Sequence, residues 1–477
     1  MTWTRKDILI YDQTNQQNTE GIKLIDPAKL SLQSGLTNFL FRNLWPLVKN
    51  LFLKFLLVFI LGAGLNSCTS VKKLAAEIDT ISILKNSPVF SSHHTGFSLY
   101  DIDEDKFISN YHSNLKFTPA SNTKLLTMYA TLSNFNDSIP SLLYVKTDSN
   151  TLVRPIGDPT FLLEDFSYQP TYTFLTQQDS LIISPLKEVS LFGAGWMWDD
   201  YMYDFQVQRS WSPIYGNRVK IQKEDSVITI TPDFFNEFVE LKKSPEGASA
   251  ARDRYSNIFS VTLKDDTADF ERNIPFEYSE ELFLQLLSDT LKSTPIKILQ
   301  VEMENPDTLY SQHIDTVLAK MLKPSDNFLA EQLLLMCAWK NGFTEIDEYI
   351  DYVKSTSLSS LDNEWVDASG LSRYNLISPK DQVHLLKKSL DEFGWDRLTN
   401  ILPTGGEGTL EERYLSETPF IYAKTGTLSN VHNLSGLLVT KSGKRLIFSL
   451  MNNHYTRSTA EVKKAMEEFL IQIRDAY

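Results

Sequence analysis

The spacing of apolar residues changes twice along the chain, and this change limits the folds available to it. Around residues 125–132, and again after about residue 277, apolar residues recur every three or four positions, which is typical of amphipathic helices. Between about residues 138 and 276 they alternate with polar residues in short runs such as Val227–Ile230, which indicates strands. A β-rich region is therefore expected to interrupt a region that is rich in helices.

The C-terminal part of the chain predicts an antiparallel sheet. Apolar runs at Phe420–Thr427, Leu434–Thr440 and Arg445–Asn452 indicate three consecutive strands, with a Lys-Ser-Gly-Lys turn between the last two. An amphipathic helix closes the chain, and a β-hairpin is predicted around the acidic turn Asp103-Glu104-Asp105. Helices at both ends of such a sheet indicate an α+β domain that the β-rich region splits into two parts.

Composition excludes several classes of protein. The 477 residues include 46 Lys and Arg against 60 Asp and Glu, and the net charge of −14 argues against non-specific nucleic-acid binding. The two cysteines are too few for a disulfide framework or a thiolate metal cluster, and Cys337 on an apolar helix is interpreted as part of the core. Seven scattered histidines without an H-E-x-x-H motif argue against the usual zinc enzymes, so no metal site is expected.

The N-terminal part contains an apolar run, Phe55–Leu65, whose 11 residues are too few to span a bilayer. Its length, with basic residues before it and small ones after it, is typical of a signal-peptide core. Cys68 follows after Asn66 and Ser67 and resembles the lipidated cysteine of a bacterial lipoprotein signal. This predicts a protein of the cell envelope or periplasm, held to a membrane by a lipid anchor on Cys68. The alternative is a buried helix with an incidental cysteine.

A Ser-x-x-Lys pattern on a helix places a hydroxyl and an amine one turn apart on the same face, where a neutral lysine can take the serine proton. Ser121 and Lys124 are the favoured pair, because they follow a Pro-Ala turn and open a strongly apolar helix. The pattern alone is a weak signal, since most instances lie in solvated helices or loops. The instances that lack this context are Ser70/Lys73, Ser82/Lys85, Ser113/Lys116 and Ser184/Lys187.

Two motifs further along the chain can complete a site of this kind. Ser325-Asp326-Asn327 opens a predicted helix over Pro324–Trp339, where Ser or Asn could instead be a simple cap. Lys424-Thr425-Gly426 lies late in a predicted strand, where the glycine lets a substrate backbone approach closely. Each motif is unspecific by itself, and the order and placement of all three make the combination specific.

The order S-x-x-K, S-D-N, K-T-G resembles the penicillin-recognising serine acyltransferases, which comprise penicillin-binding proteins and class A β-lactamases. Longer stretches are similar to the D-alanyl-D-alanine carboxypeptidases of the low-molecular-mass class C type, the S13 peptidase family. These stretches are Pro119–Lys124, Gly157–Pro159, Gly195–Asp200, Ser325–Glu331 and Asp367–Arg373. That family carries extra domains between its first two motifs, and 204 positions separate Ser121 from Ser325 here.

The resemblance implies an α+β domain of the penicillin-binding-protein and β-lactamase type, interrupted by a β-rich insertion. The implied divisions are a leader over 1–68, catalytic parts over 69–137 and 277–477, and an inserted domain over 138–276. No residue is assigned to a diaminopimelate pocket, because the stretch before Trp196 is shorter than in family members that have one. Trp196 and Trp198 either line the cleft or pack the inserted domain against the catalytic one.

The resemblance also implies a role for each motif residue. The implied catalytic residues are Ser121, Lys124, Ser325 and Asn327. The implied substrate-binding residues are Lys424, Thr425, Gly426 and Thr427. Ser121 is the nucleophile and Lys124 its base, whose pKa a second buried cation, Lys424, is expected to lower. The backbone N–H groups of Ser121 and Thr427 are the implied oxyanion hole.

The implied reaction is the hydrolysis of peptidoglycan stem peptides through an acyl-enzyme on Ser121, by a carboxypeptidase, an endopeptidase or both. β-Lactams are expected to trap Ser121 covalently, and neither a metal nor an organic cofactor is required. One alternative is a β-lactamase or esterase built on the same site. The other is a non-catalytic envelope protein that uses the cleft to bind peptidoglycan.

Overall fold

The computed structural model describes residues 80–185, 188–225, 227–243, 249–263 and 269–477, which belong to one compact unit. The predicted leader and Cys68 lie outside the described residues. The α-helices are α1 (Thr80–Asn86), α2 (Lys124–Asn134), α3 (Pro170–Thr176), α4 (Glu280–Leu291), α5 (Ile314–Leu322), α6 (Asn327–Lys340), α7 (Ile346–Ser355), α8 (Pro379–Phe393), α9 (Trp395–Ile401) and α10 (Thr459–Ala476).

The strands of residues 94–275 are β1 (His94–Asp101), β2 (Lys106–Tyr111), β3 (Ser138–Lys146), β4 (Thr151–Pro155), β5 (Leu181–Ile183), β6 (Arg218–Glu224), β7 (Val227–Thr231), β8 (Val239–Lys243), β9 (Ser249–Arg252), β10 (Phe259–Leu263) and β11 (Phe270–Pro275). The later strands are β12 (Ile296–Ile298), β13 (Asp307–His313), β14 (Asn363–Glu364), β15 (Leu376–Ile377), β16 (Ile421–Leu428), β17 (Val431–Val439) and β18 (Arg445–Asn453). The predicted hairpin and the predicted C-terminal meander are both confirmed.

The main sheet has the antiparallel order β16-β17-β18-β1-β2, so the first and last thirds of the chain meet between β18 and β1. Its side chains alternate between two apolar layers. Leu437 and Ile447 pack with α2, α5, α6 and α8, whereas Leu438 and Phe448 pack with α1 and α10. The sheet is therefore covered on both faces by helices, as expected for the predicted α+β class.

Helix α6 is buried on all sides, from Phe328 to Ala338, and forms the centre of the helical layer. The predicted start of this helix at Pro324 is wrong by three residues. Ser325 has a left-handed φ of +70°, and Asp326 is the N-cap whose carboxylate accepts from the Leu329 N–H at 2.7 Å. Cys337 is fully buried in this helix, which confirms its interpretation as core, and burial raises its pKa to about 12.

The region after α2 is built from strands, as the alternating pattern predicts. One sheet has the order β12-β5-β4-β3-β13, and two three-stranded sheets have the orders β11-β6-β7 and β8-β10-β9. A separate apolar cluster around Phe235, Phe259 and Phe276 holds these sheets together. The first sheet includes β12 and β13, which follow residue 276, and the exact domain boundaries remain a prediction.

Phe469 on α10 provides a test of the layer behind the main sheet. Its ring centre lies 5.0 Å from that of Phe97 on β1, and its side chain is buried. We expect Phe469→Ala to lower the free energy of unfolding by about 3–5 kcal/mol, because it leaves a cavity between helix and sheet. Lys464 on the same helix is exposed, and Lys464→Ala is the control. It should change the free energy of unfolding by no more than about 0.5 kcal/mol. Equal stabilities of the two variants in urea would contradict this packing.

Candidate active site

A tight turn places the first motif beside the main sheet. Residues Ala120–Thr123 form a 3-10 turn that continues directly into α2. Because Ser121 and Lys124 are three residues apart on this continuous turn, their side chains extend to the same side. The Lys124 Nζ donates a hydrogen bond to the Ser121 Oγ at 3.0 Å. The predicted pair is therefore in direct contact.

Lys124 is fully buried, and three acceptors surround its amine. Besides Ser121, they are Asn327 Oδ1 at 2.5 Å and the Ser369 carbonyl oxygen at 2.8 Å. Burial lowers the pKa of Lys124 to about 8, against the opposing charges of nearby carboxylates. These carboxylates belong to Asp326, Asp367 and Glu331. The amine is thus neutral in a substantial fraction of molecules near pH 8, and a neutral amine can accept the serine proton.

Lys424 is the second buried amine of the site. Its Nζ donates to the Thr425 carbonyl oxygen at 3.0 Å, and its own carbonyl accepts from the Asn122 amide at 2.6 Å. Burial first, and then the charge of Lys124, hold the pKa of Lys424 well below its usual range. The expectation that Lys424 is what lowers the pKa of Lys124 needs correction, since desolvation is the main cause there. The two amines do repel each other, so they disfavour being charged together.

Strand β16 lies at the edge of the main sheet, against the nucleophile turn. At Gly426 a Cβ atom would lie 2.2 Å from the Pro119 oxygen and 3.2 Å from the Ser121 nitrogen, so only glycine fits there. On the outer side of the strand, the Ala423 N–H donates to the Pro403 oxygen at 2.9 Å. Peptide groups alternate along a strand, so the Thr427 N–H faces this same outer edge, beside the turn that carries Ser121.

The two threonine hydroxyls after Lys424 have defined partners. Thr425 donates to the Thr409 hydroxyl at 2.8 Å, and the Thr427 hydroxyl lies 2.8 Å from His432 Nδ1. Burial lowers the pKa of His432 to about 3, so its imidazole is neutral. Sequence analysis did not identify His432, and only the strand register, which pairs it with Thr427, reveals its place.

The Ser-Asp-Asn motif contributes unequally to the contacts of the site. Asn327 joins two parts of the chain, because its oxygen accepts from Lys124 and its amide donates to the Phe205 carbonyl at 2.8 Å. Asp326 forms an ion pair with Arg218 at 2.9 Å. Ser325 precedes them at the helix start, and among the described contacts its hydroxyl does not bond to Ser121 or Lys124. The implied role of Ser325 stays a prediction.

The loop after β14 forms one wall of the site. In the sequence, only the family resemblance of Asp367–Arg373 points to this loop. Ser369 in this loop supplies the carbonyl that accepts from Lys124. Asp367 shapes the loop by accepting from the Gly370 and Ser372 N–H groups at 2.8 and 2.6 Å. Gly370 has φ of +82°, and a Cβ there would lie 1.9 Å from the Ala120 oxygen. The loop and the nucleophile turn therefore fit closely together.

Two asparagines to which sequence analysis assigned no role tie the nucleophile turn to the sheet. Asn433 on β17 donates to the Thr118 and Pro119 carbonyl oxygens, both at 2.9 Å. Asn122 donates to the Lys424 carbonyl and accepts from the Ser435 hydroxyl at 2.8 Å. The signal that could have found Asn433 is weak: a single asparagine in a strand that is rich in apolar residues.

The tryptophans of the β-rich region have different environments. The Trp196 indole N–H donates to Asp367 at 2.9 Å, and the Arg209 guanidinium lies over its ring at 5.3 Å. This contact agrees with the packing alternative for Trp196. The Trp198 side chain is 71% exposed, with the Arg254 guanidinium 4.2 Å from its ring centre.

Within the described residues, no group of three His, Cys, Asp or Glu side chains is arranged to hold a metal ion. The same part of the chain contains no helix that is both long and apolar enough to cross a membrane.

Comparisons with known proteins agree with this geometry. The model of the D-Ala-D-Ala carboxypeptidase 3 (S13) family matches residues 74–473. The D-alanyl-D-alanine carboxypeptidase DacB of Haemophilus influenzae is 23% identical over 457 residues, covering 84% of this chain and 94% of that protein.

The crystal structure of penicillin binding protein 4 from Haemophilus influenzae has the same fold, with a TM-score of 0.65 and 19% identity over 83% of this chain and 98% of that chain. A second crystal structure of that protein, complexed with a β-lactam, has a TM-score of 0.63 with the same identity and coverage. The family model spans both parts of the α+β domain and all three motifs, and the chain belongs to the D-Ala-D-Ala carboxypeptidase 3 (S13) family.

Proposed function

We propose that this protein is a serine D-alanyl-D-alanine carboxypeptidase, endopeptidase or both, which hydrolyses peptidoglycan stem peptides through an acyl-enzyme on Ser121. The observation that carries this proposal is the buried Lys124 amine, 3.0 Å from the Ser121 hydroxyl, with a pKa lowered to about 8. Membership of the S13 family and the β-lactam complex of a relative with the same fold support it.

Acylation begins with proton transfer from the Ser121 hydroxyl to neutral Lys124. The hydroxyl oxygen attacks the carbonyl between the two D-alanines, and the backbone N–H groups of Ser121 and Thr427 stabilise the oxyanion. Fixed donors of this kind typically lower a barrier by about 3–4 kcal/mol. The leaving amine takes a proton from Lys124, directly or through Ser325, and water then hydrolyses the ester.

The terminal carboxylate of the substrate is assigned to Lys424 with the hydroxyls of Thr425 and Thr427. An anion beside the Lys424 amine favours its charged form and offsets the burial that lowers its pKa. Once charged, Lys424 repels a proton on Lys124. Binding of the carboxylate therefore favours the neutral, basic form of Lys124 in the complex.

A β-lactamase or esterase would use the same contacts and is the second candidate. The two differ in the fate of the acyl-enzyme: a carboxypeptidase keeps a β-lactam bound for long, whereas a β-lactamase releases it quickly. A non-catalytic peptidoglycan-binding protein would form no acyl-enzyme at all.

We further propose a location in the cell envelope, with a lipid on Cys68 as the membrane anchor. The apolar run before this cysteine and the peptidoglycan substrate assigned to the site support this location.

The first test is covalent labelling of Ser121. We expect wild type to bind a fluorescent penicillin covalently and to release D-Ala, or to cut D-Ala–diaminopimelate cross-links, in muropeptides followed by mass spectrometry. Ser121→Ala removes the nucleophile and should abolish both. Ser113→Ala, in another Ser-x-x-Lys pattern, is the matched control and should label normally. If wild type stays unlabelled, only the non-catalytic peptidoglycan-binding function remains possible. Rapid release of the label would favour the β-lactamase alternative.

The second test is the pH dependence of acylation. Lys124 must be neutral to accept the proton, so the second-order rate constant of acylation, which depends on the unliganded protein, should rise with pH and level off above a midpoint of about 8. Lys124→Ala should lose acylation while the protein still folds. The surface variant Lys388→Ala is the control and should leave the profile unchanged. A rate constant that is flat from pH 6 to 9 in wild type would remove Lys124 as the base.

The third test concerns the anchor. When the full chain is expressed in a bacterium, we expect it to partition into the detergent phase of Triton X-114, because a lipid on Cys68 adds buried CH₂ groups. Cys68→Ala should move it to the aqueous phase, whereas the other cysteine variant, Cys337→Ala, should partition as wild type does. Identical partitioning of the Cys68 variant and wild type would show that the anchor assignment is wrong.

A further inference from the structure

A buried ion pair outside the three motifs is connected to the general base by a series of hydrogen bonds. Arg209, which belongs to the β-rich region of the chain, donates from Nε and Nη2 to one carboxylate oxygen of Glu331 on α6, at 3.0 and 2.7 Å. The side chains of Arg209 and Glu331 are only 5% and 1% exposed. A buried charge pair of this kind is weak evidence for stability, because desolvation offsets much of the attraction. Its placement therefore calls for another explanation.

The second oxygen of Glu331 points towards the catalytic centre. It accepts from the Ser369 N–H at 2.9 Å, and the Ser369 carbonyl in turn accepts from the Lys124 amine at 2.8 Å. The contacts thus run without a break from Arg209 through Glu331 and Ser369 to Lys124. The Arg209 guanidinium also lies over the Trp196 ring, whose N–H donates to Asp367 on the same loop as Ser369.

We propose that Arg209 and Glu331 are a positioning pair for the general base, a proposal that rests on the proposed function. Glu331 places Ser369 against Lys124 and biases the charge of the Lys124 amine. Arg209 balances the charge of Glu331. The β-rich region would then take part in setting the pH at which the enzyme acylates. Neither residue touches the reacting atoms, so both act through Lys124.

The other charges around Lys124 have different partners. The ionisable groups that act on its amine are Asp326, Asp367, Glu331 and Lys424. Asp326 is paired with Arg218 and also caps α6. Asp367 is held by backbone N–H groups, Asn375 and Trp196, and burial raises its pKa. Glu331 combines a buried cationic partner with a hydrogen bond to the residue that accepts from Lys124, which makes the pair a specific target for substitution.

Removing the charge of Glu331 and removing the charge of Arg209 should shift the acylation pH profile in opposite directions. A merely structural role of the pair predicts no such opposite shifts. Glu331→Gln removes a negative charge and leaves Arg209, so the midpoint of the acylation pH profile should fall by about one pH unit. Arg209→Met leaves the Glu331 carboxylate unbalanced and should raise the midpoint by a similar amount. Arg209→Lys keeps the charge and should restore the wild-type midpoint. Asp315→Asn, which removes one partner of the Arg397 ion pair, is the control and should not shift it.

A double variant covers the case in which a single variant fails to fold. Arg209→Met with Glu331→Gln leaves no unpaired buried charge. Glu331 is closer to Lys124 along this series of hydrogen bonds than Arg209 is, so loss of its charge should have the larger effect. The acylation midpoint of the double variant should therefore lie below that of wild type but above that of Glu331→Gln.

Rate constants are measured with fluorescent penicillin from pH 6 to 10, alongside thermal unfolding of each variant. Folded variants that keep the wild-type midpoint, whatever their melting temperatures, would overturn the proposal. The Arg209–Glu331 ion pair would then have only a structural role. The absence of acylation in wild type at every pH would instead contradict the proposed function, so the two failures are distinguishable.

Discussion

The burial of the Lys124 amine is the constraint on which the rest of the site depends. A lysine without access to water loses much of its preference for the charged form, which is why its pKa falls to about 8. The amine then needs acceptors, and Ser121, Asn327 and Ser369 supply them from three separate parts of the chain. Each of these parts must be held in place for the serine to have a base beside it.

The fold meets this requirement by fixing the nucleophile turn from several sides. The edge strand β16 approaches it through Gly426, and Asn433 binds its carbonyl groups from β17. The close contact of Gly370 with Ala120 fixes the opposite side. The β-rich region also contributes, since the Phe205 carbonyl orients Asn327. The long separation between the first two motifs therefore includes chain that helps to build the site.

The sequence predicted the local features of this arrangement well. The contact between Ser121 and Lys124 follows from their spacing on one turn, and the pairing of β1 with β2 follows from the acidic turn between two apolar runs. The contacts of Ser369 and Asn433 depend on strand register and loop docking, which a single sequence does not encode locally. The start of α6 was misplaced because the left-handed backbone at Ser325 leaves no compositional signal. The cause of the low Lys124 pKa was also misjudged, because burial depends on the whole fold.

The titration of the Lys124 amine tests this account most directly. With ¹³C-labelled lysine in the folded protein, the Lys124 Cε resonance is identified by its loss in Lys124→Arg and followed by NMR as the pH is raised. Burial of the amine predicts a midpoint of about 8 for this lysine, well below the ordinary value of 10.5. A midpoint at or above 10 would mean that the amine stays charged beside Ser121, and it would contradict the assignment of Lys124 as the base.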